Sequence, residues 1–205
     1  MLIVLLAMIM QSCEKEEKKA PVYAGIVKDD LLYVELNPPL QVTTYYDTAN
    51  FFHYGVDSLD MNKDGIFDIV ISVGYMEGDS AITPTLAIYP HTSLNVRDSI
   101  QFATEIEYYP MGLGTFGKIY WIDTLSYNNR IDDFKTWQAD YSHQFMWVVP
   151  PAFLWGSNGT WYNLGNTEKY VGVRMKIGNK YKYGWIKVKV ITRNEMQFIS
   201  YAIQK

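Results

Sequence analysis

Cysteine is almost missing from this 205-residue chain, where Cys13 stands alone. An intrachain disulfide is therefore excluded, and stability has to come from packing rather than cross-linking. Histidine is nearly as sparse. His53, His91 and His143 lie too far apart for a His-x-x-x-His metal pair. No Gly-x-Ser-x-Gly segment offers a nucleophile elbow. Helical periodicity is absent over any useful length beyond the N-terminal residues, which argues against helix bundles and α/β folds. No apolar run reaches the roughly 20 residues of a membrane-spanning helix. A strong charge of one sign is missing too, since the net charge is only −4, and this argues against a nucleic-acid binder.

What the chain does have is apolar and aromatic mass. Hydrophobic residues make up 48% and aromatic residues 16%, with 17 Tyr and 6 Trp, a composition that buries a core rather than staying disordered. The charge is unevenly placed. Residues 170–205 carry eight basic side chains and Glu195, a balance of 8 − 1 = +7, against 10 − 21 = −11 elsewhere. Two readings stand: solvated strand faces, or a contact surface for an acidic glycan, an anionic headgroup or a partner.

The one uninterrupted apolar run, Leu2 to Met10, leads through Gln11-Ser12 to Cys13 and then to six charged residues. Its length suits the h-region of a secretory signal, although no Lys or Arg precedes it. The pattern resembles the lipobox of bacterial lipoproteins, which implies cleavage before Cys13 and lipidation of its sulfur. An ordinary cleaved signal peptide or a signal anchor is the alternative. The expected organisation is a signal peptide over 1–12, a charged tether over 13–24 and one domain over 25–205.

Within that domain strand signals recur. Leu31 to Leu36 ends at Pro38-Pro39, and Leu40 to Tyr46 follows. Further strands are expected at Ile66–Val73, Thr85–Tyr89, Ile100–Tyr109, Lys118–Ile122 and Phe145–Val149, with a turn over Gly112–Gly117 and at most one short helix, at Asp132–Ala139. Such spacing points to an all-β, antiparallel β-sandwich of jelly-roll type. The C-terminal hairpin can be read residue by residue. Tyr170–Ile177 alternates, Gly178-Asn179 suits a type II′ turn, and Lys180–Ile191 returns. Closing the turn there sets Val171 opposite Ile186 and Val173 opposite Gly184 on the inner face. Arg174 then opposes Tyr183, and Trp185 opposes Gly172, on the outer face. A ring covering the strand glycine and an Arg174–Tyr183 cation–π pair follow as expectations.

Asp60-Met61-Asn62-Lys63-Asp64-Gly65-Ile66-Phe67-Asp68 places oxygen-bearing side chains at positions 1, 3, 5 and 9, with glycine at 6. Calcium favours several hard oxygens from one tight loop, so Asp60, Asn62, Asp64, the Ile66 carbonyl and Asp68 are candidate ligands. Position 12 is Ile71 rather than glutamate. The other reading is an Asp-Gly turn whose carboxylates cap backbone amides. Together with Lys169–Arg174, Tyr183–Val188 and Ile199-Ser200-Tyr201-Ala202, this loop resembles a group of uncharacterised extracellular β-sandwich proteins common in Bacteroidota, many of them lipoproteins. The likeness implies the fold and an envelope location, and no general activity. Glu14-Lys15-Glu16-Glu17 resembles the surface-export signals of such bacteria. Their O-glycosylation sequon, Asp-Ser/Thr before an apolar residue, is matched at Thr48, Ser58, Ser80, Ser99 and Thr124. Each match also reads as an Asp-capped turn.

Two constellations could carry function. Glu105 and Glu107 would share one face of a strand, their Cα atoms roughly 6.5–7 Å apart, which invites comparison with a glycosidase carboxylate pair. A solvated face is the commoner reason for alternating glutamates. Tyr181, Tyr183 and Trp185 line one face of a strand near Arg174, with Trp147, Trp155, Trp161 and Tyr162 before them. Rings in a row stack on sugars, or else they seal a second layer of the sandwich. The expectation is a non-catalytic binding or accessory module of the envelope, glycan-directed through Arg174, Tyr181, Tyr183 and Trp185, on an outer-membrane lipoprotein anchored by Cys13. Its rivals are an assembly subunit docking to another envelope protein, and a glycoside hydrolase.

Overall fold

The computed structural model describes residues 20–48, 52–76, 85–90, 99–112, 115–138, 143–147, 161, 164–192 and 195–205. Cys13, most of the tether, Ser80, His91, Trp155 and Tyr162 lie outside the described residues, as do the side chains of Ser99, Glu107 and Trp147.

The described residues form strands and turns with no helix, so the expected all-β class holds. The strands are β1 (Val22–Tyr23), β2 (Leu31–Thr43), β3 (Tyr45–Asp47), β4 (Phe52–Leu59), β5 (Ile69–Met76), β6 (Thr85–Pro90) and β7 (Ser99–Gly112). They continue as β8 (Thr115–Ile122), β9 (Arg130–Ile131), β10 (Trp137–Gln138), β11 (His143–Trp147), β12 (Glu168–Ile177), β13 (Lys180–Thr192) and β14 (Glu195–Gln204). One hydrogen-bonded path runs β2-β14-β13-β12-β7-β8-β11-β6-β5-β4-β3, with β10 added to β7. The pairs are antiparallel except β8 with β11, which meet at Trp121 and Gln144. Strand β7 carries the path from one sheet to the other. Its start, Ser99–Phe102, pairs with β12, and Thr104–Gly112 pairs with β8.

Folding the path over buries the main core between the two sheets. Leu59, Ile69 and Ile71 from β4 and β5 join Val171, Val173, Ile186, Val188, Met196 and Phe198 from β12 to β14 in one apolar cluster. The alternation read from the sequence sets this face. A second, smaller core lies on the opposite face of the same strands. There Val22, Ala24, Leu31, Leu125 and Ile131 pack on Tyr170, Tyr183, Trp185 and Ala202. The cover is the β1–β9 pair and the segment around Leu125, which exchanges two backbone hydrogen bonds of 3.0 and 2.9 Å with Tyr170. The molecule therefore has three layers where a plain sandwich has two.

Several expectations change. Val22 is 4% exposed and Ala24 fully buried, so the fold begins inside the segment assigned to the tether. Leu31–Leu36 and Leu40–Tyr46 are not separate strands up to Thr43. They are one strand, because the ladder to β14 shifts between Glu35–Ser200 and Leu40–Phe198 and skips the prolines, which have no N–H to give. Ile66 and Phe67 belong to the loop before β5, and each is about half-exposed. Asp132–Ala139 forms no helix. Its described residues make a turn followed by β10, because Asp132 accepts the Phe134 amide at 2.9 Å and so favours a turn.

Where β2 ends against β4 the backbones nearly touch. A Cβ on Gly55 would lie 2.0 Å from the Thr43 carbonyl oxygen. Gly55→Ala should therefore lower stability by about 1–3 kcal/mol, the usual cost of forcing apart a packed contact. Chemical denaturation checks this, and an unchanged midpoint would mean that the two strands are not held at this distance.

Candidate functional site at the Arg174 ledge

The β12–β13 hairpin places the residues singled out for ligand binding, and its register is the one read from the sequence. Arg174 opposes Tyr183, Gly172 opposes Trp185, and Ile177 opposes Lys180 across the turn. Gly178 has φ of 59° while Asn179 has no positive φ, as a type II′ turn requires.

The exposure expected for the rings does not follow. Trp185 is 2% exposed and Tyr183 is 3% exposed. Trp185 packs edge-on to Tyr170 at 5.4 Å and tilted against Tyr33 at 6.0 Å. Neither Trp185 nor Tyr183 has a free face for a sugar, because the segment around Leu125 and Ile131 covers them. Gly172 serves the same cover. A Cβ there would sit 3.0 Å from the Ala103 Cβ and 3.1 Å from Leu125, so the glycine admits the outer layer.

Arg174 and Tyr181 lie at the edge of that cover and remain partly exposed. The guanidinium lies 4.1 Å from the Tyr181 ring centre and 4.9 Å from that of Trp137. It is not over Tyr183, as the cross-strand pairing suggested. Its Nε donates to Gln101 at 2.5 Å, and one terminal nitrogen lies 3.7 Å from the Asp133 carboxylate. Asp133 also accepts a short hydrogen bond from the Tyr183 hydroxyl. Burial pushes that hydroxyl pKa well up, and the Asp133 carboxylate adds to the rise against the opposing pull of Arg174. The result is a ledge: a fixed cation between two partly buried rings, with a carboxylate and an amide beside it. Strand β10 brings Trp137, the turn before it brings Asp133, and β7 brings Gln101. Sequence spacing does not reveal these three, and Trp137 falls in the segment expected to be a short helix.

Other candidates sit apart from the ledge. Glu105 carries a raised pKa from burial first, then from the charge and hydrogen bond of Asp123, with Lys135 opposing. Lys135 lies 2.6 Å from Asp123. The described neighbours of the Glu105 carboxylate are thus Asp123 and Lys135, and the Glu107 side chain lies outside the described residues. Of the sequon hydroxyls, Thr48 is exposed, whereas Ser58 and Thr124 are only partly so. Asp57 accepts the Ser58 amide at 2.7 Å, yet both residues lie within β4, opposite Ile71 and Val70, so this match is on a strand and not in a capped turn.

The Asp60–Asp68 loop is closed by its own carboxylates. Asp60 accepts the Lys63 and Gly65 amides at 2.7 and 2.8 Å, and Asp64 accepts the Ile66 amide at 2.8 Å. Asn62 accepts the Asp64 amide at 3.0 Å. Asp68 turns inward and accepts the Met61 amide at 2.7 Å. Among the described residues no three His, Cys, Asp or Glu side chains gather as a metal site would need. These are the hydrogen bonds of a capped turn. Two contacts tie the loop to the main core: Met61 is fully buried, and the Tyr201 hydroxyl donates to the Asp60 carbonyl at 3.0 Å. Burial, followed by the charges of Asp60 and Asp68, pushes the Tyr201 hydroxyl up to about 12.

No family model matches the chain, and neither a curated protein nor a solved structure matches it. Among the described residues no helix is long and apolar enough to cross a membrane.

Burial raises the Asp68 carboxyl to about 6, with Asp60 and Asp64 adding to the rise and the Met61 and Asn62 amides opposing it. The folded state therefore holds this proton more tightly than the unfolded chain does, and stability falls as pH rises from about 4 to about 6. Asp68→Asn keeps an acceptor for both amides and removes the charge. Its melting temperature should vary less over that window than the parent's, and should match or exceed the parent's at pH 7. A bound cation would reverse the sign: Asp68→Asn would then melt lower at pH 7, and added calcium would widen the gap.

Proposed function

We propose that this chain is a non-catalytic binding module of a bacterial envelope, tethered through Cys13, which engages a glycan at the Arg174 ledge. One observation carries the reading. Trp137 and Tyr181 hold partly exposed rings 4.9 and 4.1 Å from a guanidinium that is itself fixed by Gln101 and Asp133. Sugars are recognised by flat apolar faces flanked by fixed donors and acceptors, and a cation already paired needs little further ordering when a ligand arrives. The carboxylate beside the guanidinium balances its charge locally, so a neutral sugar suits the ledge better than an acidic one. Residues 170–205 also hold other basic side chains in place: Lys187 pairs with Glu168 at 2.5 Å, and the Lys205 ammonium donates to the Asp29 carbonyl at 2.7 Å.

Docking to another envelope protein is the second reading, and Phe134 favours it. This ring is 87% exposed, beside Asp133, and the Arg130 guanidinium lies 5.7 Å from its centre. Phenylalanine is enriched at protein interfaces relative to the rest of the surface.

The two readings separate by mutation. Tyr181→Ala should reduce retention on neutral polysaccharide gels by about ten-fold, equivalent to some 1.4 kcal/mol, with the fold kept, and Phe134→Ala should leave retention unchanged. If Phe134→Ala instead removes a stoichiometric partner from native membrane extracts, and no polysaccharide retards the parent, the protein is a subunit and not a glycan binder.

A further inference from the structure

The inner side of the same hairpin carries a charge that the ledge does not use. Lys182 pairs with Met175 in the β12–β13 register, and directly opposed residues of an antiparallel pair share a face. Met175 is fully buried in the main core, so Lys182 stands on the core side of β13, in line with Ile186 and Val188 further along. It lies at the open end of the sandwich, where a cavity of about 290 Å³ is lined by Leu32, Met175, Ile177 and Ile203, with Lys182 among them.

The other polar lining groups are committed. The Asn62 amide donates to Asp64 at 3.1 Å and contacts the Met175 sulfur at 3.7 Å. Gln204 accepts the Tyr183 amide and donates to the Ala20 carbonyl, each at 3.0 Å. The Lys205 ammonium donates to the Asp29 backbone carbonyl at 2.7 Å. Among the described residues the Lys182 ammonium has no hydrogen-bond or ion-pair partner. Lys182 is only partly buried, so its ammonium keeps some water and stands at the cavity mouth as an unpaired donor that an anion could use.

We infer that this cavity binds a small monocarboxylate with a compact apolar body, its carboxylate on Lys182 and its body against Leu32, Met175, Ile177 and Ile203. The volume sets the size. A dry cavity of roughly 150 Å³ accepts benzene, so the space at Lys182 suits a body about twice as large, such as a medium-length alkyl chain. Of the two lysines that line the cavity, Lys205 already donates to the Asp29 carbonyl, so one unengaged ammonium and four apolar walls favour a singly charged head over a phosphate, which would ask for several donors. The site lies on the opposite face of the hairpin from the ledge and does not depend on the glycan reading.

Octanoate and 1-octanol are the probes, titrated into the full chain by calorimetry. Octanoate should bind saturably and about ten-fold or more tighter than octanol, a difference of about 1.4 kcal/mol. Lys182→Gln should abolish that preference while leaving octanol binding as it was, and Lys182→Arg should retain it. Ile177→Trp, placed on the half-exposed rim, should fill the cavity and weaken both probes, and it decides the question if Lys182→Gln fails to fold. Equal affinities for the two probes, octanoate binding unchanged in Lys182→Gln or in Ile177→Trp, or no saturable octanoate binding would each overturn the proposal.

Discussion

A strand in a sandwich usually keeps one face wet, and its sequence then alternates between apolar and polar residues. Over Tyr183–Ile186 strand β13 departs from this, because its two faces are dry for different reasons. Ile186 and Val188 face the main core, while Tyr183 and Trp185 are sealed by Leu125, Ile131 and the residues around Val22. Fully burying a side chain of this size contributes roughly 1.5–3 kcal/mol relative to leaving it in water. The central sheet is thus stabilised from both sides, and the remaining architecture is arranged around it. Strand β1 is only two residues long and pairs with the equally short β9. It is kept in place by the second core rather than by its own ladder.

The same constraint decides where chemistry is available. The covering layer ends near Arg174, and at that boundary a cation, two rings, a carboxylate and an amide meet at partial exposure. On the inner side the main core ends near the Ile177–Lys180 turn, leaving the cavity beside Lys182. Both features therefore sit at the margins of packed layers, one on each face of a single hairpin.

The parts of this arrangement legible in the sequence are those governed by local rules. A clean alternation and a Gly-Asn turn set the β12–β13 register to the residue, since a one-place slip would reverse every side chain. The prolines of β2 misled because a ladder shift in β14, far away in sequence, accommodates them. Trp185 misled for a similar reason. Alternation shows which residues share a face, but it does not show whether a distant segment covers that face, and Leu125 and Ile131 carry no mark of doing so. The strand expected over Ile66–Val73 begins instead at Ile69, because Ile66 and Phe67 are apolar yet belong to the loop. Gln101, Asp133 and Trp137 come from three separate stretches, and only the pairing of β7 with β10 and β12 brings them to Arg174.

Trp185 gives the most direct test of the three-layer arrangement. Its indole N–H has no partner among the described residues, so its contribution should come from ring packing alone. Melting temperatures of Trp185→Ala and Trp185→Phe measure that contribution. Removal of the ring should destabilise the fold by about 3–5 kcal/mol, and phenylalanine should restore most of the loss. If both variants melt with the parent protein, the ring stands in solvent, the outer face of β13 is open, and the second core does not exist.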